Sequence, residues 1–201
     1  MHGAVLRQGV LLTALAILFS CGCSAVTVKQ PLSQPAAIDK DKFEGTWVLD
    51  DAAVGIRFSD DGVAQLAAAE WKDGKFRLNR AEMILTKGKE ANYFSLRGEE
   101  DGKWQQEYLF AQYTFTDQGA LVVWMPNVER FAEAIKDGKL EGTVRKERYS
   151  EIVLITSPPQ KLLEFLEGPA NAEAFSYKHP LVLRKLSSLA KAAEASAENQ
   201  E

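Results

Sequence analysis

The sequence predicts a mainly β fold, an antiparallel meander that closes as a β-barrel and carries two short helical insertions. Two observations predict this class. Short apolar segments alternate with turn signals such as Asp60-Asp61-Gly62 and Asp73-Gly74, and such short turns join antiparallel strands because parallel strands need long crossovers. The segment 104–116 also carries apolar side chains on both of its faces. A closed barrel covers one face with its own interior, and helices can cover part of the other.

The individual elements follow from periodicity and punctuation. Alternating or continuous apolar residues between turn signals predict strands over residues 46–49, 54–58, 63–72, 76–85, 92–97, 104–116, 120–125, 152–156 and 181–186. Helical spacing of apolar residues after Pro126 predicts a helix over residues 127–136, which ends at Asp137-Gly138. A second helix is expected to start at Pro158-Pro159 with Ser157 as its cap, and to end at Gly168-Pro169.

The N-terminal segment has the composition of an export signal. Arg7 precedes a nearly unbroken apolar run over residues 10–19, and Ser20 precedes Cys21. The run is too short to span a bilayer, which requires about 20 residues. The sequence therefore predicts four parts: a signal peptide over residues 1–20, a flexible tether over 21–41, a barrel domain over 42–186, and an Ala/Glu-rich tail over 187–201.

Leu18-Phe19-Ser20-Cys21 resembles the lipobox of bacterial lipoproteins. The resemblance implies that Cys21 becomes diacylated and forms the new N-terminus, with Cys23 as the alternative lipidation site. An ordinary secretory signal is the other interpretation. If the sorting rules of Gram-negative lipoproteins apply, Gly22 or Ser24 after the cysteine implies the outer membrane, facing the periplasm. The expected membrane contact is then this lipid anchor.

Phe43-Glu44-Gly45-Thr46-Trp47 resembles the Gly-x-Trp opening of the first strand in lipocalins and related calycin barrels. In that family the tryptophan closes one barrel end, and a basic residue near the end of the chain packs across its indole. The resemblance implies barrel closure by Gly45, Trp47 and Arg184. The alternative is that Gly45-Thr46-Trp47 simply begins a strand with a buried indole.

The residue inventory argues against catalysis. The net charge of −4 is mild and charges of both signs are interspersed, so no basic stripe suggests a nucleic-acid partner. His179 is the only histidine beyond the signal, and no cysteine follows Cys23, which excludes a zinc site of His/Cys type. No nucleophile elbow or phosphate loop occurs. The acidic pairs fall at predicted turns, where backbone geometry favours them, so an enzyme that uses these carboxylates is the weakest hypothesis, and we expect no cofactor.

Aromatic residues are the remaining candidates for binding. A barrel mouth could be lined by Trp71, Tyr93, Trp104, Tyr108, Phe110 and Trp124. The same residues could instead pack a filled core, as in small barrels. The sequence therefore predicts a membrane-tethered periplasmic lipoprotein that binds a small apolar or amphipathic ligand in its barrel. The alternative is a non-catalytic structural or interaction lipoprotein of the cell envelope, docked on an envelope protein and with a filled barrel core.

Overall fold

The computed structural model describes residues 24–36, 38–49, 52–72, 74–146, 150–169 and 171–187, without the side chains of residues 70–72 and 171. Within these residues the strands are β1 Ala25–Val28, β2 Gly45–Leu49, β3 Ala52–Phe58, β4 Ala64–Lys72, β5 Lys75–Lys87, β6 Asn92–Glu100, β7 Lys103–Trp104, β8 Tyr108–Phe115, β9 Leu121–Trp124, β10 Gly142–Lys146, β11 Glu151–Ile155 and β12 Leu181–Lys185. The helices are α1 Lys40–Phe43, α2 Val128–Lys136, α3 Pro159–Leu166 and α4 Asn171–Ala174.

Eight of these strands close into an antiparallel barrel. The order around the barrel is β8-β9-β12-β2-β3-β4-β5-β6, and β6 pairs with β8 to complete the ring. Most neighbours in the ring are also neighbours in sequence, which makes the barrel a meander. The predicted fold class is therefore confirmed.

The barrel interior is packed with apolar side chains from alternate positions of every strand. In β3 and β4 these are Val54 and Ile56, and Ala64, Leu66 and Ala68. The alanines of β4 leave room for larger side chains that enter from the other strands. The buried interior set is completed by Phe43, Trp47, Leu49, Ala81, Met83, Leu85, Phe94, Leu96, Ala111, Tyr113, Leu121, Val123 and Leu183.

A second apolar core lies outside the barrel wall. Strand β1 pairs antiparallel with β8 and parallel with β11, and β10 extends this side sheet. Helix α2 packs on the side sheet, with Phe131 and Ala134 buried, and α3 adds Leu162 and Leu166 to the same core. The prediction that helices cover the outer face of the barrel is confirmed, because Phe110 of β8 belongs to this outer core whereas its neighbour Ala111 faces the interior.

The stretch expected to be a flexible tether is instead part of the fold from residue 25 onward. Val26 and Val28 of β1 are buried against the helices, and Leu32 is buried beyond them. The Leu32 N–H donates to Ser95 Oγ over 3.1 Å. This corrects the tether prediction for residues 25–36: a four-residue strand gives little local signal, since its partners in β8 and β11 lie far along the chain. The predicted signal over 1–20, and residues 188–201 of the predicted tail, lie outside the described residues.

The two main helices begin differently from one another. Asn127 caps α2, where its Oδ1 accepts the Arg130 N–H over 3.4 Å. Ser157 does not cap α3 as predicted, because its Oγ accepts the Glu141 N–H over 2.6 Å and Pro158 holds the cap position. Among the described residues, no helix has the length and apolar character needed to cross a bilayer.

Candidate functional site

The end of the barrel at which β2 begins is closed by an aromatic cluster around Phe43. The Phe43 ring makes edge contacts with Tyr113 and Phe115, each at 5.0 Å between centroids. Trp47 is fully buried, and its Nε1 donates to the Phe43 carbonyl over 2.7 Å. Burial, with Asp39 nearby, raises the pKa of the Tyr113 hydroxyl. Helix α1, which ends at Phe43, therefore covers this end of the barrel and forms its lid.

The cation over the Trp47 indole is Lys185 rather than the predicted Arg184. Lys185 Nζ lies 5.5 Å from the ring centroid and donates to the carbonyls of Asp41 and Lys42 over 3.2 and 3.1 Å. Arg184 is exposed and pairs in register with Val48. Strand alternation explains the correction, because Lys185 shares a register with Trp47 and its side chain points to the other face from that of Arg184.

Gly45 is adapted to this closure. Its φ of 132° lies in the region that favours glycine, and an added Cβ would approach Lys185 Cε to 2.8 Å. A side chain here would displace the lysine from the indole. Gly45, Trp47 and Lys185 thus form one closing unit at the mouth of the barrel.

The aromatic residues predicted to line a barrel pocket lie elsewhere. Tyr93, Tyr108 and Phe110 are buried in the outer core and Trp124 packs against it. Trp104 lies in β7, within 5.8 Å of the guanidinium carbons of Arg80 and Arg97. The side chain of Trp71 lies outside the described residues. None of these five residues belongs to the interior set, and those in β6, β8 and β9 point outward because their positions alternate with positions that face inward.

A groove of about 690 Å³ lies between the segment after β1 and the outer face of β5 and β6. Arg97 lies at its floor, 4.9 Å from the Tyr108 ring centroid, and forms an ion pair with Glu82. Burial raises the pKa of the Tyr108 hydroxyl, and the Arg97 charge opposes this effect. The walls mix prolines with polar groups: Gln30, Pro31, Ser33, Gln34, Pro35, Asp61, Val63, Ile84 and Pro159. Because Glu82 already neutralises Arg97, the groove suits an amphipathic molecule better than a small anion.

A second, smaller basin of about 420 Å³ lies on the outer face of β3 and β4, where Gly55 and Ala67 form its floor and Arg57 and Arg80 its rim. The pairing of β5 with β6 begins at Ala81, so residues 75–80 of β5 pair only with β4. These residues and β4 form a projecting hairpin. On this hairpin Phe76 is 73% exposed and Leu78 is 81% exposed. Leu78 pairs with Ala69, next to the basin, so these residues make one continuous surface, which we call the hairpin face.

Sequence reasoning missed the hairpin face, although a signal was present. Arg77 and Asn79 share the strand register of Ala81 and Met83, which face the barrel interior. Polar side chains at these positions indicate that β5 enters the barrel only after residue 80. Strand alternation then places Phe76 and Leu78 on the opposite, outward side of β5.

The residues considered for catalysis or metal binding lie in loops and turns. His179 is exposed in the loop before β12, and Asp61 accepts hydrogen bonds from Ser59 Oγ and the Val63 N–H within its turn. These bonds, Ser59 first, lower the pKa of Asp61. In the part of the chain that the structure describes, no group of histidine, cysteine and acidic residues is arranged to hold a metal ion. Cys21, Cys23 and the pair Asp50-Asp51 lie outside the described residues.

The chain was compared with protein families, curated proteins and solved structures, and nothing matches it in any of the three. The architecture, an eight-stranded antiparallel barrel compatible with ligand binding, is therefore established by its own geometry. It is consistent with the lipocalin-like fold that Gly45 and Trp47 suggest.

Proposed function

We propose that this protein is a non-catalytic interaction lipoprotein of the bacterial cell envelope. Its lipid anchor is Cys21, or Cys23 if processing shifts by two residues, and it is held at the outer membrane facing the periplasm. Its barrel is a rigid body that presents an outer surface to another envelope protein. The lipobox Leu18-Phe19-Ser20-Cys21 supports the anchor and the address.

The observation that carries this choice over a ligand carrier is the filled interior. Trp47, Phe94 and Tyr113 occupy the space that a hollow barrel would offer to a ligand, and the lid formed by α1 covers one end. Small apolar ligands need a concave site that buries most of their surface. Both concavities described above lie on the outside of the wall.

The hairpin face is the surface that we propose for docking. Exposed apolar side chains are normally scattered singly, whereas Phe76 and Leu78 lie on one face of β5 beside a basin floored by Gly55 and Ala67. Phe76 and Leu78 can insert into a pocket of a partner, and the basin beside them can receive a side chain of that partner. Arg57 at the rim of the basin favours a partner whose apolar patch is bordered by acidic groups.

A second copy of this chain fits the hairpin face less well. Two copies docked through this surface would bring Arg57 of each toward the same cation of the other. Such like-charge contacts disfavour association. A different envelope protein, with the complementary charge, is the occupant that the charges favour.

Site-specific photo-cross-linking in living bacteria tests this proposal. A photoreactive residue at position 78 should give one dominant adduct of higher mass, whereas the same residue at Val182, which is 41% exposed on β12, should give none. Ala67→Glu should abolish the adduct, because it places a negative charge in the basin, without a change in melting temperature. An equal yield from positions 78 and 182, or an adduct only with a second copy of the chain, would overturn the proposal.

The anchor is tested separately. Cys21→Ser should make the protein extractable from membranes with high salt, whereas the lipidated chain should require detergent. Continued lipid attachment in this variant would assign the anchor to Cys23. Soluble recovery of the unchanged chain would remove the lipoprotein assignment altogether.

A small amphipathic ligand is the second candidate function, and the outer groove at Arg97 and Tyr108 is the observation that favours it. Mass spectrometry of the gently purified protein should then recover a stoichiometric small molecule. Ile84→Trp, which places a large side chain in the groove, should abolish recovery. If nothing is recovered from the unchanged protein, this candidate fails.

A further inference from the structure

The short distance between the anchor and the fold fixes where the domain lies on the membrane. Two residues lie between Cys21 and Ser24, so three Cα–Cα steps separate them, about 11 Å when fully extended. Ser24 is already held by the domain, since its Oγ accepts the Glu151 N–H over 2.9 Å, and β1 begins at the next residue. This inference rests on the anchoring proposed above. A lipid at Cys21 therefore brings the surface around Ser24 close to the bilayer.

The strand registers identify what surrounds Ser24. Strand β1 and strand β9 share one edge of β8: β1 pairs there with Tyr108 and Leu109, and β9 with residues 112–115. Since β1 is antiparallel to β8, its start points toward Gln112, where Trp124 of β9 is the register partner. The start of β1, with Ser24 before it, therefore points toward the junction of β8 and β9.

Amphipathic aromatic residues lie at this junction. Tyr177 is 39% exposed, and its hydroxyl donates to Gln112 Oε1 over 2.9 Å. Its ring lies 5.7 Å from that of the partly exposed Trp124. Tyrosine and tryptophan side chains combine an apolar body with a polar tip, and such residues favour the boundary between lipid and water.

Cationic residues lie beside Ser24 and beside Tyr177. Lys146 is 75% exposed and reaches Glu151, the hydrogen-bond partner of Ser24, over 3.4 Å. Lys178 and His179 follow Tyr177 and are exposed. Described acidic groups near this surface include Glu151, Glu107, which accepts a hydrogen bond from Thr27 Oγ1 over 2.7 Å, and Glu90 and Glu167, whose charges act on Tyr93 near Tyr177. We call the surface formed by Trp124, Lys146, Tyr177, Lys178 and His179 the anchor rim.

We propose that the anchor rim lies against the headgroups of an anionic bilayer and holds the domain in one orientation. The aromatic rings enter the interfacial layer, and the two lysines contact lipid phosphates. This orientation also sets the direction of the hairpin face. Strand β4 lies four strands from β9 in either direction around the ring, so the hairpin face points away from the membrane, toward a periplasmic partner.

Vesicle flotation of the unlipidated chain tests the rim apart from the anchor. The protein is residues 21–201 with Cys21→Ser and Cys23→Ser, and the probes are vesicles of phosphatidylethanolamine with phosphatidylglycerol, or of phosphatidylcholine alone. We expect binding to the anionic vesicles only. Lys146→Gln with Lys178→Gln should weaken it about 25-fold, at about fivefold per lysine, and Tyr177→Ser should weaken it further. The matched control, Lys75→Gln with Lys103→Gln on the opposite side, should bind like the parent.

Lysine acetylation of the natural lipidated protein gives a second readout without substitutions. On anionic vesicles, Lys146 and Lys178 should be protected relative to protein in detergent, while Lys75 and Lys103 stay reactive. Absence of binding to anionic vesicles, or loss of binding in the control pair instead of the rim pair, would overturn the proposal. Protection of Lys75 alone would make the β4–β5 hairpin the membrane contact and overturn the proposal. Failure of anchoring itself would show as soluble recovery of the unchanged chain in the fractionation and not in flotation.

Discussion

Replacing Trp47 by alanine is expected to be the most damaging single truncation at the closed end of the barrel. The indole is fully buried among Phe43, Phe115 and Lys185, and its Nε1 donates to the Phe43 carbonyl over 2.7 Å. Removal of a buried tryptophan costs about 3–5 kcal/mol, which includes the cavity that is left behind. The substitution also removes the hydrogen bond to the Phe43 carbonyl, which contributes about 1 kcal/mol. We count this loss within the range of about 3–5 kcal/mol.

Urea unfolding followed by far-ultraviolet circular dichroism measures this cost without relying on tryptophan emission. Trp104→Ala is the matched control, since Trp104 is only partly buried and packs against Arg80 and Arg97, for which we expect about 1 kcal/mol. The free energy of unfolding should therefore fall about three times further for Trp47→Ala than for the control. Equal losses, or a Trp47 variant that unfolds like the parent, would refute the account of barrel closure.

Three further perturbations test separate parts of the structure. Lys185→Met should lower the free energy of unfolding by about 1–2 kcal/mol through loss of the cation–π contact and two carbonyl hydrogen bonds. The control Arg184→Met should change the free energy of unfolding by no more than about 0.5 kcal/mol. The reverse order in urea titrations would make Arg184 the closing residue. Val26→Asp should lower the free energy of unfolding by about 3 kcal/mol or more, because it buries a charge in β1, whereas Val182→Asp at an exposed position should have a small effect. A Val26→Asp variant as stable as the parent would contradict the packing of β1 against the barrel. Burial raises the pKa of Tyr93 from 10.0 to about 12, so the folded state keeps the Tyr93 proton to a higher pH than the unfolded state does. The contribution of Tyr93 to stability, complete below pH 10, should therefore fall by about 1.4 kcal/mol per pH unit toward pH 12, in addition to the contributions of other buried tyrosines. Tyr93→Phe should reduce the total slope by that amount, and an unchanged slope would contradict the prediction.

The barrel could be predicted because its signals are local. Turn dipeptides such as Asp73-Gly74 and alternation in Val54, Ile56 and Phe58 need no distant partner to be read. The two apolar faces of the segment 104–116 also predicted an outer layer, which the structure provides as α2, α3 and the side sheet. Local pattern and global fold agree here.

The features that sequence reasoning missed depend on distant partners. Strand β1 exists because β8 and β11 supply its neighbours, and residues 25–28 alone give no strong strand signal. The choice between Arg184 and Lys185 depends on a register of one residue, which flips a side chain to the other face of the wall. For the same reason, the sequence makes Tyr93 and Phe110 candidates for lining a barrel pocket, although they belong to the outer core.

Native mass spectrometry of the gently extracted protein tests the central claim, that the barrel is a filled body whose function lies on its outer surface. The account predicts the mass of the chain from Cys21 onward plus its acyl groups, with no additional small molecule. A stoichiometric apolar ligand that leaves only when the protein unfolds would contradict the account, because it would require a cavity where Trp47, Phe94 and Tyr113 pack together.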